Sequence, residues 1–458
     1  MYLYTEIAGK MKKYIRNLYQ YLNGKTVQNE YREIRQLKNE NDLFHFQELY
    51  LKKLIFHTYK NVPYYQNIFI NNGVVVNDQV QLSKFNEIPI LTKELLRKHQ
   101  KELISKDYLN RKYYQNTSGG STGEPTIFLQ DDNYLKWRSA TNKFYYQDML
   151  SINESNVKKI WLWGSPKDLF KEQTDFRTKI NTWLKTNTVI LNSFSMTEKD
   201  MKSYIDTINR YQPDLIRGYA GSLYELCKYA EKNNLDLFQP KKLISSAETL
   251  TDDMRKKIET SFKTKLYNFY GSRETASIAG ECDDGLMHIF SFNNLIEIVD
   301  QKNNPIRDGQ EGRIIITNLH NYSMPFIRYE IGDMAVLQLK KCSCGNFLPC
   351  LKKISGRVEE QFIKRDGSIV IGYFFVHLIG VLLNKGFIKK FKVVQEDYEK
   401  IRIYAIIDQG LPESVRMEIE QKIKIQMGDN CLIFWEFVED IPKLASGKYL
   451  YTQSLINK

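Results

Sequence analysis

A short segment rich in glycine and hydroxyl side chains is the clearest candidate for chemistry. Residues 116–125 (NTSGGSTGEP) contain three glycines and four Ser or Thr residues in ten positions. Glycine lets the backbone approach a ligand closely and adopt positive φ. Successive N–H groups in such a turn form a concave anion site, to which hydroxyl groups add donors. A triphosphate is the natural occupant. The Gly-Lys-Ser/Thr of a Walker A loop is missing, and a flexible surface loop is the alternative interpretation.

Four further motifs follow in the chain, and each is weak alone. They are 270–274 (YGSRE), 328–333 (RYEIGD), 356–360 (GRVEE) and 442–448 (PKLASGK). Together with the glycine-rich segment, and in this order, they resemble the motifs of the adenylate-forming (acyl-CoA synthetase-like) superfamily. Residues 61–65 (NVPYY) and 88–93 (IPILTK) are similar to the phenylacetate–CoA ligase/CapK branch. The resemblance covers nearly the whole chain.

This resemblance implies an ATP-dependent ligase that activates a carboxylic acid. Mg-ATP and the acid would give an acyl-adenylate and pyrophosphate, and the acyl group would pass to coenzyme A or to an amine or sugar acceptor. Surface polysaccharide biosynthesis is one implied pathway. Because the first step joins two anions, the site must neutralise charge and align the groups. Two alternatives stay open: an adenylyl transferase acting on a metabolite, and a non-catalytic nucleotide-binding relative. Glu124 and Arg273 favour the latter, since the superfamily more often has Lys and Thr there.

The resemblance also assigns roles to individual residues. The expected catalytic residues are Lys448, Glu274 and Arg328, of which Glu274 would bind Mg²⁺ through its carboxylate. Glu359 would be the hinge between domains. The expected nucleotide-binding residues are Thr117, Ser118, Gly119, Gly120, Ser121, Thr122, Gly123, Ser246, Ala247, Glu248, Tyr270, Gly271, Ser272, Arg273, Asp333 and Arg357. Asp333 would accept the ribose hydroxyls. Salt bridges are the alternative for Arg328 and Arg357, and a strand-to-helix cap is the alternative for residues 246–248.

A second group of residues could bind a structural metal. Cys282 and His288 are separated by five residues, and Cys342 and Cys344 lie about 60 residues later. Three or four such ligands suit tetrahedral Zn²⁺. The branch that the chain resembles implies a structural metal at a comparable place. We assign these four residues as ligands and keep Cys350 as a substitute. Reduced, half-buried thiols without metal are the alternative.

Composition limits the class of protein further. The chain has 458 residues, 42% hydrophobic and 26% charged, which excludes collagen and disordered tails. The net charge of +12 permits phosphate ligands, but the lysine pairs are scattered, so we expect no nucleic-acid partner. Six cysteines without regular spacing argue against a disulfide framework and for a reducing, cytoplasmic location. The apolar segment 369–383 is shorter than the roughly 20 residues of a membrane span. We expect a monomer or homodimer.

These residues must be positioned by α/β elements. From residue 157, short apolar runs alternate with amphipathic stretches, which predicts parallel strands joined by crossover helices. A β-rich stretch follows from residue 294. The predicted fold class is α/β: a large multi-layer N-terminal domain with crossover βα units and a β-rich subdomain, and a small mobile α+β C-terminal domain. We predict an AMP-binding domain over residues 1–356, helical to about residue 110, and a lid domain over residues 357–458.

Overall fold

The structure is a computed structural model, and it forms two compact units. It describes residues 27–117, 127–153, 157–163, 187–193, 196, 198–248, 250–357, 361–366, 369–371, 375, 378–379, 387–407, 410–441 and 451–456. The first unit holds most of the chain up to Ser355, and the second comprises chiefly Gly356–Lys458 together with Gly332–Met334. No helix among these described ranges is both long and apolar enough to cross a membrane.

The described chain contains the following helices and strands. The α-helices are α1 Gln28–Gln36, α2 Glu40–Asn61, α3 Pro63–Asn71, α4 Lys93–Lys98, α5 Asp132–Phe144, α6 Glu198–Tyr211, α7 Ala220–Lys232, α8 Asp252–Phe262 and α9 Glu413–Met427. The strands are β1 Val75–Val76, β2 Gln79–Val80, β3 Tyr113–Thr117, β4 Ile127–Asp131, β5 Lys159–Leu162, β6 Thr188–Leu191, β7 Leu215–Tyr219, β8 Lys242–Ser246, β9 Leu266–Ser272, β10 Ala276–Glu281, β11 Met287–Ile289, β12 Asn294–Val299, β13 Glu311–Asn318, β14 Tyr329–Gln338, β15 Cys350–Arg357, β16 Gln361–Ile363, β17 Ile369–Ile371, β18 Ile388–Asp397, β19 Lys400–Ile407, β20 Leu432–Phe437 and β21 Thr452–Ser454. A π-helical turn, Tyr145–Met149, extends α5.

One sheet of 11 strands organises the first unit. Its order is β12-β13-β14-β15-β11-β10-β9-β8-β7-β5-β6. Strands β6, β5, β7, β8 and β9 are parallel neighbours, whereas β9, β10, β11 and β15 pair antiparallel. Helices α7 and α8 connect β7 to β8 and β8 to β9, as parallel strands require. The predicted crossover βα units and the α/β class are confirmed.

The parallel strands are apolar on both faces because each face is covered. Ile160, Ile216 and Leu243 pack in a cluster with residues of α6, α7 and α8. Leu215 and Ile244 point the other way and pack in a cluster with residues of α5 and the π-helical turn. Burial on both faces explains why these strands have continuous apolar runs instead of alternation.

Short polar residues set where helices begin. The Thr251 hydroxyl accepts from the Met254 N–H at 3.1 Å, which caps α8. Thr92 caps α4 in the same way through the Leu95 N–H at 3.2 Å. Each cap satisfies a backbone donor that has no partner within its own helix.

The second unit is a small α+β body. Its sheet has the order β20-β19-β18-β21. Helix α9 buries Val415, Ile419, Ile423 and Met427, whose spacing of four residues places them on one face. This confirms the predicted class of the C-terminal region. Its mobility stays a prediction.

Candidate active site

The glycine-rich segment connects the two strands of a β-hairpin. Strands β3 and β4 pair antiparallel, and Thr117 lies opposite Ile127. Thr117 is therefore at the end of β3, immediately before the predicted phosphate loop. The predicted loop residues Ser118, Gly119, Gly120, Ser121, Thr122 and Gly123 lie outside the described residues.

A buried glutamine fastens this hairpin to the predicted magnesium-binding turn. Gln130 on β4 is fully buried. Its Nε2 donates to the backbone oxygens of Arg273 at 2.8 Å and Glu274 at 3.1 Å. Its Oε1 accepts from the Asn116 side chain at 3.1 Å. Sequence reasoning missed Gln130, although a glutamine in the apolar strand IFLQ was the available signal.

Arg273 and Glu274 lie beside the hairpin as a result. The Arg273 guanidinium is exposed, and its Nη1 donates to the backbone oxygen of Thr117 at 3.4 Å. Glu274 is only 9% exposed. Within the described ranges its carboxylate has no hydrogen-bond or ion-pair partner. A buried carboxylate without a partner is costly, so this position suits a cation.

The end of β9, just before the turn into β10, needs a glycine. A Cβ on Gly271 would lie 2.7 Å from the backbone oxygen of Ala276, too close for any other residue without a shift. Ser272 closes the turn by accepting from the Thr275 N–H at 3.0 Å. Tyr270 is partly buried against the core of the first unit. The predicted nucleotide contacts of these three residues stay predictions.

The turn predicted to line the adenine follows β8. Ser246 is buried, and its hydroxyl accepts from Arg217 Nη2 at 3.0 Å. Ala247 has φ of +68°. The Glu248 carboxylate accepts from the Gly221 N–H, in the first turn of α7, at 2.7 Å. The turn is therefore anchored to the preceding helix, and its role at adenine stays a prediction.

Arg328 is occupied by partners of its own. It is 4% exposed, and its Nη2 lies 3.0 Å from a Glu297 carboxylate oxygen. Its Nη1 also donates to the backbone oxygens of Asn86 and Ile88. These contacts fit the salt-bridge alternative, and the catalytic role stays a prediction.

The remaining predicted residues belong to the later part of the chain. Asp333 is partly exposed on β14, and Arg357 ends β15. Glu359 and Lys448 lie outside the described residues. Their predicted roles stay predictions.

The predicted metal ligands converge. One ligand atom from each of Cys282, His288, Cys342 and Cys344 lies within 4.8 Å of all the others. The sulfurs of Cys282 and Cys342 are 3.6 Å apart, and the Cys344 sulfur is 3.2 Å from His288 Nε2. With a Zn–S bond of about 2.3 Å, a regular tetrahedron has edges of about 3.8 Å. The spacing of these atoms therefore fits one tetrahedral ion.

The backbone orients the histidine in this cluster. His288 Nδ1 donates to the Leu348 carbonyl oxygen at 3.0 Å, which leaves Nε2 as the ligand atom. The Cys350 sulfur lies 3.3 Å from Nδ1 and 3.8 Å from Nε2, on the less suitable side of the ring. Burial would raise the pKa of Cys282, but hydrogen bonding, first with His288, lowers it to about 6.

Known proteins resemble this chain over most of its length. The family profile described as "CapK C-terminal domain" matches residues 362–455. Protein CapK of Staphylococcus aureus is 26% identical over 428 residues, which are 91% of this chain and 90% of that protein. The phenylacetate-coenzyme A ligase of Thermus thermophilus is 25% identical over 346 residues, 70% of this chain and 72% of that protein. The chain is similar to CapK and to the phenylacetate–CoA ligases. The predicted resemblance is therefore confirmed. The second relative is a ligase, which is the class of enzyme that the sequence predicts.

Solved structures show the same fold. A 2-hydroxyisobutyryl-CoA ligase, crystallised in the postadenylation state with 2-HIB-AMP, superposes with a TM-score of 0.64 at 16% identity. The match covers 90% of this chain and 88% of that one. The o-succinylbenzoate coenzyme A synthetase MenE from Bacillus subtilis, in complex with AMP, gives 0.51 at 14% identity, over 74% and 67% of the chains. The fold is that of the adenylate-forming ligases.

Proposed function

We propose that the chain is an ATP-dependent ligase that converts a carboxylic acid into an acyl-adenylate and passes the acyl group to a thiol. The observation that carries the proposal is the contact that Gln130 makes between the β3–β4 hairpin and the β9–β10 turn. It fixes the end of the glycine-rich hairpin beside Arg273 and the buried Glu274, whose carboxylate has no partner in the part of the chain that the structure describes. The residue before the expected phosphate loop therefore lies beside the carboxylate expected to bind the cation. This supports the proposal, as does the similarity of 70% of the chain to a phenylacetate-coenzyme A ligase.

Each group has a distinct task in the adenylation step. The loop after Thr117 binds the phosphates of ATP, and Glu274 holds Mg²⁺ through its carboxylate. Arg273 adds positive charge beside the loop. Asp333 accepts the ribose hydroxyls. Lys448, carried by a C-terminal lid over residues 357–458, neutralises the charge that develops between the carboxylate and the α-phosphate. The lid would then move about Glu359 to admit the acceptor.

The proposed acceptor is coenzyme A. The relatives with a named reaction are coenzyme A ligases, which supports a thiol. The alternative, implied by the resemblance of the sequence motifs to the CapK branch, is an amine or sugar acceptor in surface polysaccharide biosynthesis. Direct comparison of coenzyme A, cysteamine and amino sugars as acceptors decides between them.

We also propose that Cys282, His288, Cys342 and Cys344 hold one structural Zn²⁺. Three sulfurs and one imidazole nitrogen make a closed tetrahedral donor set, typical of structural rather than catalytic zinc. Because Cys282 and His288 flank the β10–β11 turn and Cys342 and Cys344 precede β15, the ion would join those segments of the sheet.

The test is carboxylate-dependent exchange between pyrophosphate and ATP across a broad panel of acids. We expect Glu274→Gln and Lys448→Ala to lower the exchange rate at least about 100-fold, because each removes charge stabilisation from the adenylation step. Lys422→Ala, an exposed lysine on α9, is the matched control and should stay within about twofold. Absence of exchange with every acid, or full activity of Lys448→Ala, contradicts the proposal.

A further inference from the structure

One face of the parallel sheet brings aromatic rings and an arginine together at the carboxyl ends of its strands. Arg217 on β7 pairs in register with Trp161 on β5, and Trp163 lies just beyond the end of β5. Ser246 on β8 pairs in register with Phe269 on β9. Side chains in register share a face of a sheet. We name Trp161, Trp163, Arg217, Ser246 and Phe269 the arginine face.

Among the residues that the structure describes, the groups that hold Arg217 on this face are neutral. Its Nη1 donates to the Tyr146 hydroxyl at 2.8 Å, and its Nη2 donates to Ser246 at 3.0 Å. The guanidinium carbon lies 4.4 Å from the centre of the Phe269 ring and 5.6 Å from that of Trp163. No carboxylate in the described ranges forms an ion pair with Arg217. Hydroxyls and rings position the charge and desolvate it, but they do not neutralise it.

Two donors on the arginine face also have no acceptor within the described ranges. The Nε of Arg217 and the indole Nε1 of Trp161 are buried, and neither has a hydrogen-bond partner among the residues that the structure describes. An unsatisfied buried donor is destabilising. The two donors belong to neighbouring side chains in register, so one ligand bearing several oxygen atoms could reach both.

We propose that the arginine face binds a second anionic group on the acid, so that the substrate is a dicarboxylic acid. This rests on the proposed function, since it names the substrate class of that site. One carboxylate would be activated, and the other would pair with Arg217 and accept from Trp161. A carboxylate suits this place because its negative charge would balance Arg217 and its oxygen atoms would accept from the two buried donors. The rings of Trp163 and Phe269 would enclose the carbon chain between the two carboxylates.

The experiment compares acids that differ by one carboxylate: butyrate with succinate, and benzoate with terephthalate, in pyrophosphate exchange. We expect the unsubstituted enzyme to prefer at least one dicarboxylate. Arg217→Leu should lower kcat/KM for that acid about 10- to 100-fold, and it should change the rate with the monocarboxylate less than about threefold. Trp161→Phe, which removes the N–H donor and shortens the ring system but keeps an aromatic side chain, should lower the dicarboxylate rate by several-fold. Arg210→Leu, an exposed arginine on α6, should change neither rate.

The outcomes separate this inference from the proposed function. Preference for monocarboxylates, or an equal loss with both acids in Arg217→Leu, overturns the dicarboxylate assignment and leaves the ligase proposal standing. If Arg217→Leu does not fold, as judged by its thermal unfolding, the Trp161→Phe comparison decides. No exchange with any acid overturns the ligase proposal and the inference with it.

Discussion

Replacing the buried Gln130 should affect both the stability of the protein and its affinity for Mg-ATP. Replacing it with methionine keeps the length of the side chain but removes its hydrogen bonds with Asn116, Arg273 and Glu274. The backbone oxygens of Arg273 and Glu274 then lose a buried donor. Each unsatisfied buried group costs about 1–3 kcal/mol, so relaxation should leave a loss of about 2–4 kcal/mol in the free energy of unfolding. The hairpin would also lose its attachment beside the magnesium-binding turn, and we expect the Kd for Mg-ATP to rise about tenfold.

Gln395 provides a matched control for this substitution. It is also fully buried, and it makes three hydrogen bonds, two with the backbone of Ile363 and one with Ser454. Gln395→Met should therefore destabilise the second unit by a similar amount. It should change the Kd for Mg-ATP, measured by titration calorimetry, less than about threefold. Equal effects of the two substitutions on nucleotide affinity would refute the role given to Gln130.

Two further predictions concern the metal cluster and a buried histidine. Purified protein should contain about one zinc per chain by elemental analysis, and Cys282→Ser should lose this zinc. The control Cys227→Ser, which replaces a buried thiol on α7, should keep it. A native protein without metal would contradict the assignment. Burial lowers the pKa of His320 to about 3, and the ring stacks on Trp137 at 3.8 Å. Because the unfolded chain then binds the proton more tightly, stability is full above about pH 6.5 and falls as the pH drops toward 3. Between pH 7 and pH 5, the free energy of unfolding measured in urea should fall by about 2 kcal/mol more in the unsubstituted protein than in His320→Gln. Parallel pH profiles of the two proteins would be inconsistent with a neutral buried ring.

Sequence reasoning reached the fold because the relevant signals are local. The runs at β5, β7 and β8 are mainly apolar and alternate with amphipathic helices, a pattern that few arrangements other than a covered parallel sheet satisfy. It also selected Cys282, His288, Cys342 and Cys344 correctly as a converging group, since these residue types are rare in the chain and chemically matched.

The features that could not be predicted from the sequence are contacts between segments that lie far apart in the chain. Gln130 meets Arg273 only because the β3–β4 hairpin lies against the β9–β10 turn, and no periodicity encodes that contact. Arg217 reads as one polar residue in an apolar strand until the register places it beside Trp161. Arg328 illustrates the opposite difficulty. Its place in a sequence motif suggested a catalytic role, but its ion pair with Glu297 is visible only in the folded structure.

Transfer of oxygen from the acid to AMP tests the central claim most directly. In the proposed reaction a carboxylate oxygen bonds to the α-phosphorus and stays there when the acceptor thiol displaces AMP. With an ¹⁸O-labelled acid chosen from the exchange panel, mass spectrometry should find AMP carrying one ¹⁸O atom, together with unlabelled pyrophosphate. Unlabelled AMP, or ADP and phosphate as the products, would contradict acyl-adenylate formation.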